Sequence, residues 1–373
     1  MTVKKRYNIR LMKGKVAVIH DWLTGMRGGE KVLEEILQLY PEADLYTLFL
    51  EKNKISERIS SHPIFVSRLN RNRWIRKYYQ YFLPFFPCHV EEFDLQNYGL
   101  VISSSHCVAK GVIPAPEALH ISYIHSTIRY AWDQYYSYFG RLRGIRKSIV
   151  RRHISRLRTW DVASSARVDH FIANSQFVRE RIWKYYRRQA TVIHPPVDTD
   201  FFQPAVNPSR DYFLLVSALV PYKRIELVIQ AFNGLGEKLC IVGKGSEEKH
   251  LQRLAAANIR FMGALAPDEL RRLYQNARAL VFSGIEDFGI AFVEAQACGI
   301  PVIAYDRGGV RDIIRHGQSG FLFAEQTMAA LTDAVRQAMA MTFDPVLLRQ
   351  NGLKFSPDNF RRQLSQFIAE KSQ

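Results

Sequence analysis

Short apolar runs alternate with amphipathic stretches along the whole chain. In the first half, the runs "KVAVIHDW", "GLVISSSH", "HISYIHS" and "HFIANS" have the length and composition of buried strands, and a stretch with helical periodicity follows each of them. The pattern is clearest after the first run, where Gly25, Gly28 and Gly29 mark a turn and an apolar stripe extends from Val32 to Tyr40. This half therefore predicts strands and helices in alternation.

The second half repeats the same rhythm. The runs "YFLLVSALV", "KLCIVGKG", "IRFMGAL", "ALVFSG" and "PVIAYD" predict strands, with amphipathic helices between them. Strict alternation is typical of mostly parallel sheets covered by helices on both faces. The stretch "VIHPPVDTDFFQPAVNPSRD" is rich in proline and turn residues and is predicted to be a linker.

The expected architecture is α/β, with two Rossmann-like doubly wound domains facing across a cleft. The predicted domains are residues 13–197 and residues 198–355. The last segment, 356–371, has the apolar stripe of an amphipathic helix and is expected to pack back on the first domain. In such sheets, ligands bind beyond the carboxyl ends of the strands.

Composition fits a two-domain globular protein. The chain has 373 residues, of which 47% are hydrophobic and 23% charged. No apolar run approaches the roughly 20 residues of a membrane helix, and the apolar run near the start is too short for a signal peptide. Residues 1 to about 12 are expected to be loosely ordered. The four cysteines form no C-x-x-C pair, which argues against zinc or a disulfide framework and favours a reduced cytosolic compartment.

Positive charge is concentrated in the first half. Residues 1–200 carry 32 Lys and Arg against 18 Asp and Glu, whereas residues 201–373 carry 20 against 17. This asymmetry indicates an anionic partner for the first half, with nucleic acid, anionic lipid and pyrophosphate all open. Two basic segments carry much of the charge: residues 68–87, with five cations among aromatic side chains, and residues 141–158, with eight Lys and Arg.

The two basic segments allow three interpretations. Aromatic rings beside cations suit the headgroup region of an anionic membrane. The same interleaving suits single-stranded nucleic acid. A solvated basic face over a core helix is the third interpretation.

The stretch "EDFGIAFVEAQACGIPVIA" contains the most informative carboxylates of the second half. Glu286 falls in the loop after a predicted strand, and Glu294 falls in the first turns of the helix that follows. The two carboxylates could simply face solvent, or they could bind one ligand. A helix N-terminus attracts phosphate, Gly289 lets a ligand approach the backbone closely, and a carboxylate such as Glu294 can accept hydrogen bonds from vicinal hydroxyls. This pattern suits a sugar nucleotide.

The same stretch resembles the E-x7-E motif of the retaining glycosyltransferases of family 4, which have the GT-B fold. Further segments resemble the family in the same order along nearly the whole chain, among them "RGGEKVLEEI", "IANSQFVRERI", "LVSALVPYKRIELVIQAF", "IVGKGSEEKHL" and "GIPVIAYDRGGVRDIIRHGQSGFLF". The stretch "YIHSTIRYAWD" is similar to one in mannosyltransferase-like members that build bacterial polysaccharides.

The resemblance implies roles for particular residues on the donor side. Glu294 would hold the ribose hydroxyls, and Glu286 would contact the donor sugar and the phosphates together with the backbone at Phe288, Gly289 and Ile290. Lys223 would neutralise the leaving diphosphate. The remaining donor-side candidates are Arg224, which would assist Lys223, Gly28 and Gly29, which would bring the first helix to the phosphates, and His125, which would bind the sugar near its reacting carbon.

The acceptor side is expected to include Arg129, Tyr130, Asp133 and Lys110. Plainer interpretations exist for several candidates. Arg224 could be a solvated residue at a helix start, His125 a core histidine, Gly28 and Gly29 a tight turn, and Arg129 with Asp133 a structural ion pair. Ser104 and His106, in "SSSHCVAKG", end a strand at the cleft and are weaker candidates.

Two positions depart from the family pattern. Ala218 stands where many relatives have an arginine five residues before the lysine, so phosphate binding would depend on Lys223 with Arg224, or on a residue from elsewhere. Thr127 stands where relatives often have proline. No metal and no cofactor is expected, because the lysine and the helix termini would supply the positive charge.

The function expected from the resemblance is transfer of mannose, from GDP-mannose, to a polyprenyl-diphosphate-linked saccharide at the cytoplasmic face of the inner membrane. The alternatives within enzymes are a UDP-sugar-dependent transferase and a sugar-nucleotide epimerase. The alternative of another class is a nucleic-acid-binding protein with a degenerate nucleotide site, although no nucleic acid is expected. A dehydrogenase is disfavoured because Glu248 replaces the third glycine of G-x-G-x-x-G.

Overall fold

The computed structural model describes residues 14–372, which form two compact units. The first unit extends to Pro196 and includes the residues from Asp358 onward, and the second comprises Val197–Pro357. The segment expected to be loosely ordered, residues 1 to about 12, lies outside the described residues.

The first unit is built on a seven-stranded parallel sheet. Its strands are Lys15–His20 (β1), Asp44–Thr47 (β2), Ile64–Val66 (β3), Tyr98–Ser105 (β4), Leu119–Ile124 (β5), His170–Ala173 (β6) and Ala190–Val192 (β7). Their spatial order is β3-β2-β1-β4-β5-β6-β7, and all neighbours are parallel. The α-helices are Gly28–Leu39 (α1), Glu57–Ser60 (α2), Arg73–Lys77 (α3), Phe86–Glu91 (α4), Tyr135–Phe139 (α5), Gly144–Ser164 (α6) and Gln176–Tyr186 (α7).

The second unit contains a six-stranded parallel sheet. Its strands are Tyr212–Val216 (β8), Leu239–Val242 (β9), Ile259–Gly263 (β10), Ala277–Phe282 (β11), Val302–Tyr305 (β12) and Gly320–Phe323 (β13), in the order β10-β9-β8-β11-β12-β13. The helices are Ile225–Leu235 (α8), Glu248–Leu254 (α9), Pro267–Asn276 (α10), Ile290–Ala297 (α11), Val310–Ile313 (α12), Met328–Ala340 (α13) and Pro345–Leu353 (α14).

Both sheets are covered on both faces. Along β1, Val16 and Val18 belong to one hydrophobic cluster, and Ala17 and Ile19 belong to another, because successive strand residues point to opposite faces. The second sheet is sandwiched between clusters in the same way. The prediction of two doubly wound, Rossmann-like parallel sheets is therefore confirmed.

The last helix, Pro357–Lys371 (α15), packs on the first unit although it follows the second in sequence. Its apolar stripe joins the cluster on one face of the first sheet, through the side chains Phe360, Leu364, Phe367 and Ile368. The edge of the Phe360 ring meets Tyr123 of β5 at a centroid distance of 5.8 Å.

Each sheet has one point at which the strand order reverses. After β3 the chain returns to the other side of β1 to form β4, and after β10 it returns to the other side of β8 to form β11. The crossovers on the two sides of such a point lead away from each other, and a crevice opens at the carboxyl ends of the two central strands. The fold therefore places one candidate site beyond β1 and β4 and another beyond β8 and β11.

Candidate functional site

The reversal point of the second sheet brings Lys223 and Glu286 together. Lys223 ends a short 3-10 helix after β8, and Glu286 lies in the loop after β11. Lys223 is only 5% exposed, and its ammonium forms an ion pair with Oε1 of Glu286. It also lies over the rings of Tyr222 and Phe282, at 5.0 and 5.7 Å. A nearly buried lysine needs such a partner, because desolvation disfavours an isolated ammonium.

Backbone contacts hold the two loops against each other. A Cβ at Gly284 would lie 2.9 Å from Cα of Lys223, so only glycine allows this approach. Ser283 donates a hydrogen bond from Oγ to the carbonyl of Arg224 at 2.7 Å. The ion pair is thus set by the backbone as well as by the two side chains.

The loop after β11 leads directly into α11. Gly289, at φ 102°, caps this helix in the left-handed region that favours glycine. The Phe288 side chain is buried against Phe355 at a ring distance of 5.5 Å, so only its backbone can face a ligand. Ile290 is the first helical residue. The N–H groups and the positive dipole end of α11 follow Glu286 by one turn of chain.

Glu294 lies on α11 and is held by a tyrosine that the sequence did not single out. Tyr274, a fully buried residue of α10, donates its hydroxyl to Oε2 of Glu294 at 2.7 Å. Burial raises the pKa of Glu294 to about 7, and the Tyr274 hydrogen bond offsets part of this increase. The sequence does not reveal this role of Tyr274, because its partner Glu294 lies 20 residues further along the chain.

Lys244 lies close to Ala218 along the backbone, but its side chain extends elsewhere. Lys244, in the loop after β9, accepts a hydrogen bond at its carbonyl from Leu219 N–H at 3.0 Å. Its side chain lies near Gly263 at the end of β10, on the far side of β9 from β8. Arg224 is exposed and has φ 55°. Lys223 is therefore the buried cation at this reversal point.

The reversal point of the first sheet holds His125 in a hydrogen-bonded chain. Ser104 Oγ, near the end of β4, lies 2.8 Å from Nε2 of His125 and 3.0 Å from Nδ1 of His20. Burial, together with the neighbouring His20 and His106, lowers the pKa of His125 well below its ordinary value, so the imidazole is neutral. Asn174 donates a side-chain hydrogen bond to the His125 carbonyl at 2.9 Å.

The first helix begins next to these histidines. Gly28 is the first residue of α1, and a Cβ at Gly29 would lie 3.7 Å from Nε2 of His125 and 3.5 Å from Cε1 of His20. The predicted glycines, the helix N-terminus and His125 therefore occupy one place in the first unit.

Asp21 builds the loop that follows β4. Its carboxylate, 1% exposed, accepts four backbone N–H groups, from residues 106–109, at 2.6 to 2.9 Å. Nδ1 of His106 lies 3.2 Å from the same carboxylate. His106 is thus part of the support of this loop.

Three of the expected acceptor-side residues have hydrogen-bond partners within the first unit. Asp133 accepts a hydrogen bond from Arg181 at 2.6 Å, and Arg129 donates from Nε to Ser126 at 3.1 Å. The Tyr130 hydroxyl lies 2.8 Å from Sγ of Cys107.

Lys110 corrects one expectation. Its side chain is 1% exposed, and its ammonium contacts Oδ1 of Asp161 at 2.8 Å and Oγ of Ser164 at 2.7 Å, both on α6. These contacts commit Lys110 to holding α6 on the sheet, which argues against the acceptor-side role suggested by its sequence position.

Residues 14–372 contain neither a candidate metal-binding cluster nor a membrane-spanning helix. No group of three or more His, Cys, Asp or Glu side chains in this range is placed to hold a metal ion. No helix in the same range is both long enough and apolar enough to cross a bilayer.

Two family models match the chain, one for each unit. Residues 26–201 match Glycosyltransferase Family 4, and residues 196–354 match Glycosyl transferases group 1. These matches, together with the two Rossmann-like sheets, define a glycosyltransferase of the GT-B class. The chain belongs to family 4 of these proteins, as its motifs predicted.

Curated relatives cover part of the chain and differ in their substrates. A D-inositol 3-phosphate glycosyltransferase of Streptomyces bingchenggensis is 29% identical over 218 residues, and the match covers 49% of this chain and 47% of the relative. A GDP-mannose-dependent alpha-(1-6)-phosphatidylinositol monomannoside mannosyltransferase of Mycobacterium tuberculosis is 29% identical over 200 residues, and the match covers 44% of this chain and 51% of the relative. The chain thus matches about half the length of these relatives.

Solved structures agree on the fold over nearly the whole chain. Anabaena HepE, in a crystal structure with UDP and glucose, has a TM-score of 0.70 and 16% sequence identity, and the match covers 95% of this chain and 99% of HepE. At this identity, the similarity establishes the GT-B fold.

Glu294 should make stability depend on pH. Its pKa is about 7 in the folded chain, above the ordinary 4.5, so the folded state holds this proton more tightly than the unfolded state. The contribution of this group is therefore largest below about pH 4.5 and falls by about 3 kcal/mol as the pH rises to 7. Urea unfolding at several pH values should show the wild type losing this much free energy of unfolding relative to Glu294→Gln.

Glu325→Gln, at an exposed glutamate of the same unit, is the matched control and should run parallel to the wild type. Parallel curves for the wild type and Glu294→Gln would contradict the raised pKa.

Proposed function

We propose that the chain is a retaining glycosyltransferase that moves mannose from GDP-mannose to a polyprenyl-diphosphate-linked saccharide in bacterial polysaccharide assembly. The observation that carries the proposal is the Lys223–Glu286 ion pair at the reversal point of the second sheet, next to the N-terminus of α11. This combination offers a buried cation, a carboxylate and free N–H groups to one ligand.

The nucleotide would be held first by its ribose. Tyr274 donates to Oε2 of Glu294, and the proposal assigns Oε1 to the vicinal ribose hydroxyls. Hydroxyls that donate to a carboxylate favour its charged form, so ribose binding would lower the pKa of Glu294 from its raised value.

The diphosphate would then compete with Glu286 for Lys223. A diphosphate carries more negative charge than one carboxylate, and the α11 N–H groups can bind it at the same time. Glu286, released from Lys223, would accept hydrogen bonds from hydroxyls of the donor sugar. Arg224 is exposed beside Lys223, which suits an auxiliary phosphate contact.

The reaction would break the bond between C1 of the sugar and the diphosphate oxygen. A bond forms between C1 and the acceptor hydroxyl oxygen on the same face of the ring, which retains the anomeric configuration. The proton of that hydroxyl passes to an oxygen of the departing nucleoside diphosphate. Lys223 and the α11 dipole would stabilise the charge that develops on the leaving group without a metal ion.

The choice of mannose and GDP is supported by sequence similarity. The M. tuberculosis relative is named as GDP-mannose-dependent, and "YIHSTIRYAWD" resembles the mannosyltransferase-like members of the family. His125, within this stretch, would bind the sugar. Other relatives carry other substrate names, so a UDP-sugar donor is the first alternative outcome of the test below.

The acceptor is proposed from the surface of the first unit. The basic aromatic surface, defined here as residues 68–87 and 141–158, packs its apolar side chains on one core, among them Leu69, Ile154 and Leu157. Trp74 and Tyr81 remain 63% and 81% exposed among the cations. Exposed rings and cations together suit an anionic membrane, and the proposed location is peripheral, on the cytoplasmic face of the inner membrane.

Lys223→Ala should lower turnover by about 100-fold or more, because it removes the cation that stabilises the leaving diphosphate. Transfer from GDP-mannose and from UDP-glucose to a bacterial lipid extract, in EDTA, is followed by mass spectrometry. Lys238→Ala is the matched control and should keep the turnover of the wild type. Lys238 is exposed and directly precedes β9, so it lies at the opposite edge of the second sheet from Lys223.

Transfer from UDP-glucose alone would discard mannose but keep the fold and the site. Normal turnover by Lys223→Ala would remove the proposed phosphate contact. Absence of transfer from a wider panel of nucleotide sugars would contradict the proposed activity.

Membrane binding should require anionic lipid and decline with salt. Co-sedimentation with phosphatidylglycerol vesicles should exceed that with phosphatidylcholine vesicles, and Trp74→Ser should weaken it several-fold, since the ring inserts among the headgroups. Trp183→Ser is the matched control, because Trp183 is 52% exposed but lies outside the basic aromatic surface. Equal losses for the two variants, or no binding at low salt, would leave this surface as a solvated basic face.

A further inference from the structure

Two histidines share one serine hydroxyl in the core of the first unit. His20 ends β1 and is 1% exposed, and Ser104 lies beside it on β4 and is 0% exposed. Ser104 Oγ is 3.0 Å from Nδ1 of His20 and 2.8 Å from Nε2 of His125. The sequence singled out His125 and Ser104 but gave no sign that His20 connects to them.

The serine hydroxyl has a single proton, which gives the two hydrogen bonds to the histidines a direction. It can donate to one imidazole and must accept from the other. If Ser104 donates to Nδ1 of His20, then His125 carries its proton on Nε2 and its Nδ1 is a hydrogen-bond acceptor. If Ser104 donates to His125, the reverse holds, and Nδ1 of His125 is a donor.

Glu30 faces the far nitrogen of His20. This residue of α1 is 5% exposed, its Oε2 accepts the backbone N–H of Arg27 at 2.9 Å, and its Oε1 lies 3.9 Å from Nε2 of His20. Burial alone would raise the pKa of Glu30, but His20, a backbone hydrogen bond and His106 together outweigh it and the pKa lies below its ordinary value, so Glu30 is a carboxylate. A carboxylate favours a proton on the nitrogen that faces it, which is Nε2 of His20.

We propose that Glu30, His20 and Ser104 are positioning residues that fix His125 as the Nε2–H tautomer and leave its Nδ1 as a hydrogen-bond acceptor. Glu30 holds the proton on Nε2 of His20, Nδ1 of His20 accepts from Ser104, and Ser104 accepts from Nε2 of His125. Whether this acceptor serves a sugar rests on the function proposed above.

The direction of the hydrogen bonds from His20 through Ser104 to His125 decides what His125 can bind. An acceptor at Nδ1 requires a ligand group that brings a hydrogen, such as a hexose hydroxyl, and it disfavours a bare ether or carbonyl oxygen at that place. A donor at Nδ1 would recognise both kinds of oxygen. The carboxylate of Glu30, two residues removed from contact with His125, thus sets the specificity of the histidine for hydroxyl groups.

Long-range proton–nitrogen NMR spectra of protein with ¹⁵N-labelled histidine report the tautomers directly. The full chain is measured without ligand at pH 8, above the ordinary pKa of histidine of about 6.5. Signals are assigned from His125→Gln and His20→Gln. The proposal predicts a protonated Nε2 and an unprotonated Nδ1 for both histidines.

Glu30→Gln should reverse the direction of the hydrogen bonds that connect His20, Ser104 and His125. The oxygen of the introduced amide would keep the hydrogen bond from Arg27 N–H, so the amide nitrogen would replace Oε1 and turn an N–H, in place of a carboxylate oxygen, toward Nε2 of His20. His20 then carries its proton on Nδ1, Ser104 donates to Nε2 of His125, and His125 moves its proton to Nδ1. The matched control is Glu226→Gln, which alters a Glu–His pair of similar separation, 3.8 Å, at His250 in the second unit.

A proton on Nδ1 of either His20 or His125 in the wild type would overturn the proposal, and this result does not depend on the variants folding. A folded Glu30→Gln whose His125 keeps the wild-type tautomer would overturn it as well. Because no ligand is present, these outcomes are independent of the enzymatic assay. A protein with the predicted tautomers but no glycosyl transfer would contradict only the proposed function.

Discussion

The ion pair between Lys223 and Glu286 is the interaction on which the candidate donor site depends. A lysine that is 5% exposed would be strongly destabilising without a partner for its ammonium, so the loops after β8 and β11 must meet. Gly284 permits their contact, since any side chain there would collide with the backbone of Lys223. The topology supplies the place, because β8 and β11 are the two strands at which the order of the second sheet reverses. The candidate functional groups of the second unit are therefore concentrated where its sheet opens.

The first unit uses the same principle with different residues. Its reversal point lies between β1 and β4, and the groups that collect there are mostly buried and polar. Asp21 accepts four hydrogen bonds from the backbone of the loop after β4, and Glu30 faces His20. Buried polar groups need partners, and here the partners come from elsewhere in the fold, from residues 106–109 for Asp21 and from β1 for Glu30. The result is a neutral histidine whose orientation and tautomer are set by groups that a ligand would not touch.

Much of this structure could be predicted from the sequence, and the exceptions have physical causes. The apolar runs identify β1, β4–β6 and β8–β12, whereas β2, β3, β7 and β13 were not predicted; β3 and β7 have only three residues and too few positions to show a pattern. The spacing of Glu286 and Glu294 identifies a loop and a helix that can serve one ligand. The partners of such residues could not be predicted, because hydrogen bonds such as that between Tyr274 and Glu294 form only in the fold. Lys110 shows the converse. Its place after β4 suggested a ligand contact, but its ammonium forms an ion pair with Asp161, 51 residues further along the chain.

Calorimetric titration of the full chain with GDP, UDP and ADP in EDTA is the most direct test of the central claim, that the Lys223–Glu286 pair and Glu294 together form a metal-independent nucleoside diphosphate site. The account predicts saturable one-to-one binding of GDP, weakened about 10- to 100-fold in Glu294→Ala, as expected for a lost charged hydrogen bond of about 1.5–3 kcal/mol. Tighter binding of UDP would keep the site but change the donor. No binding of any of the three, or equal affinity in Glu294→Ala, would contradict the account.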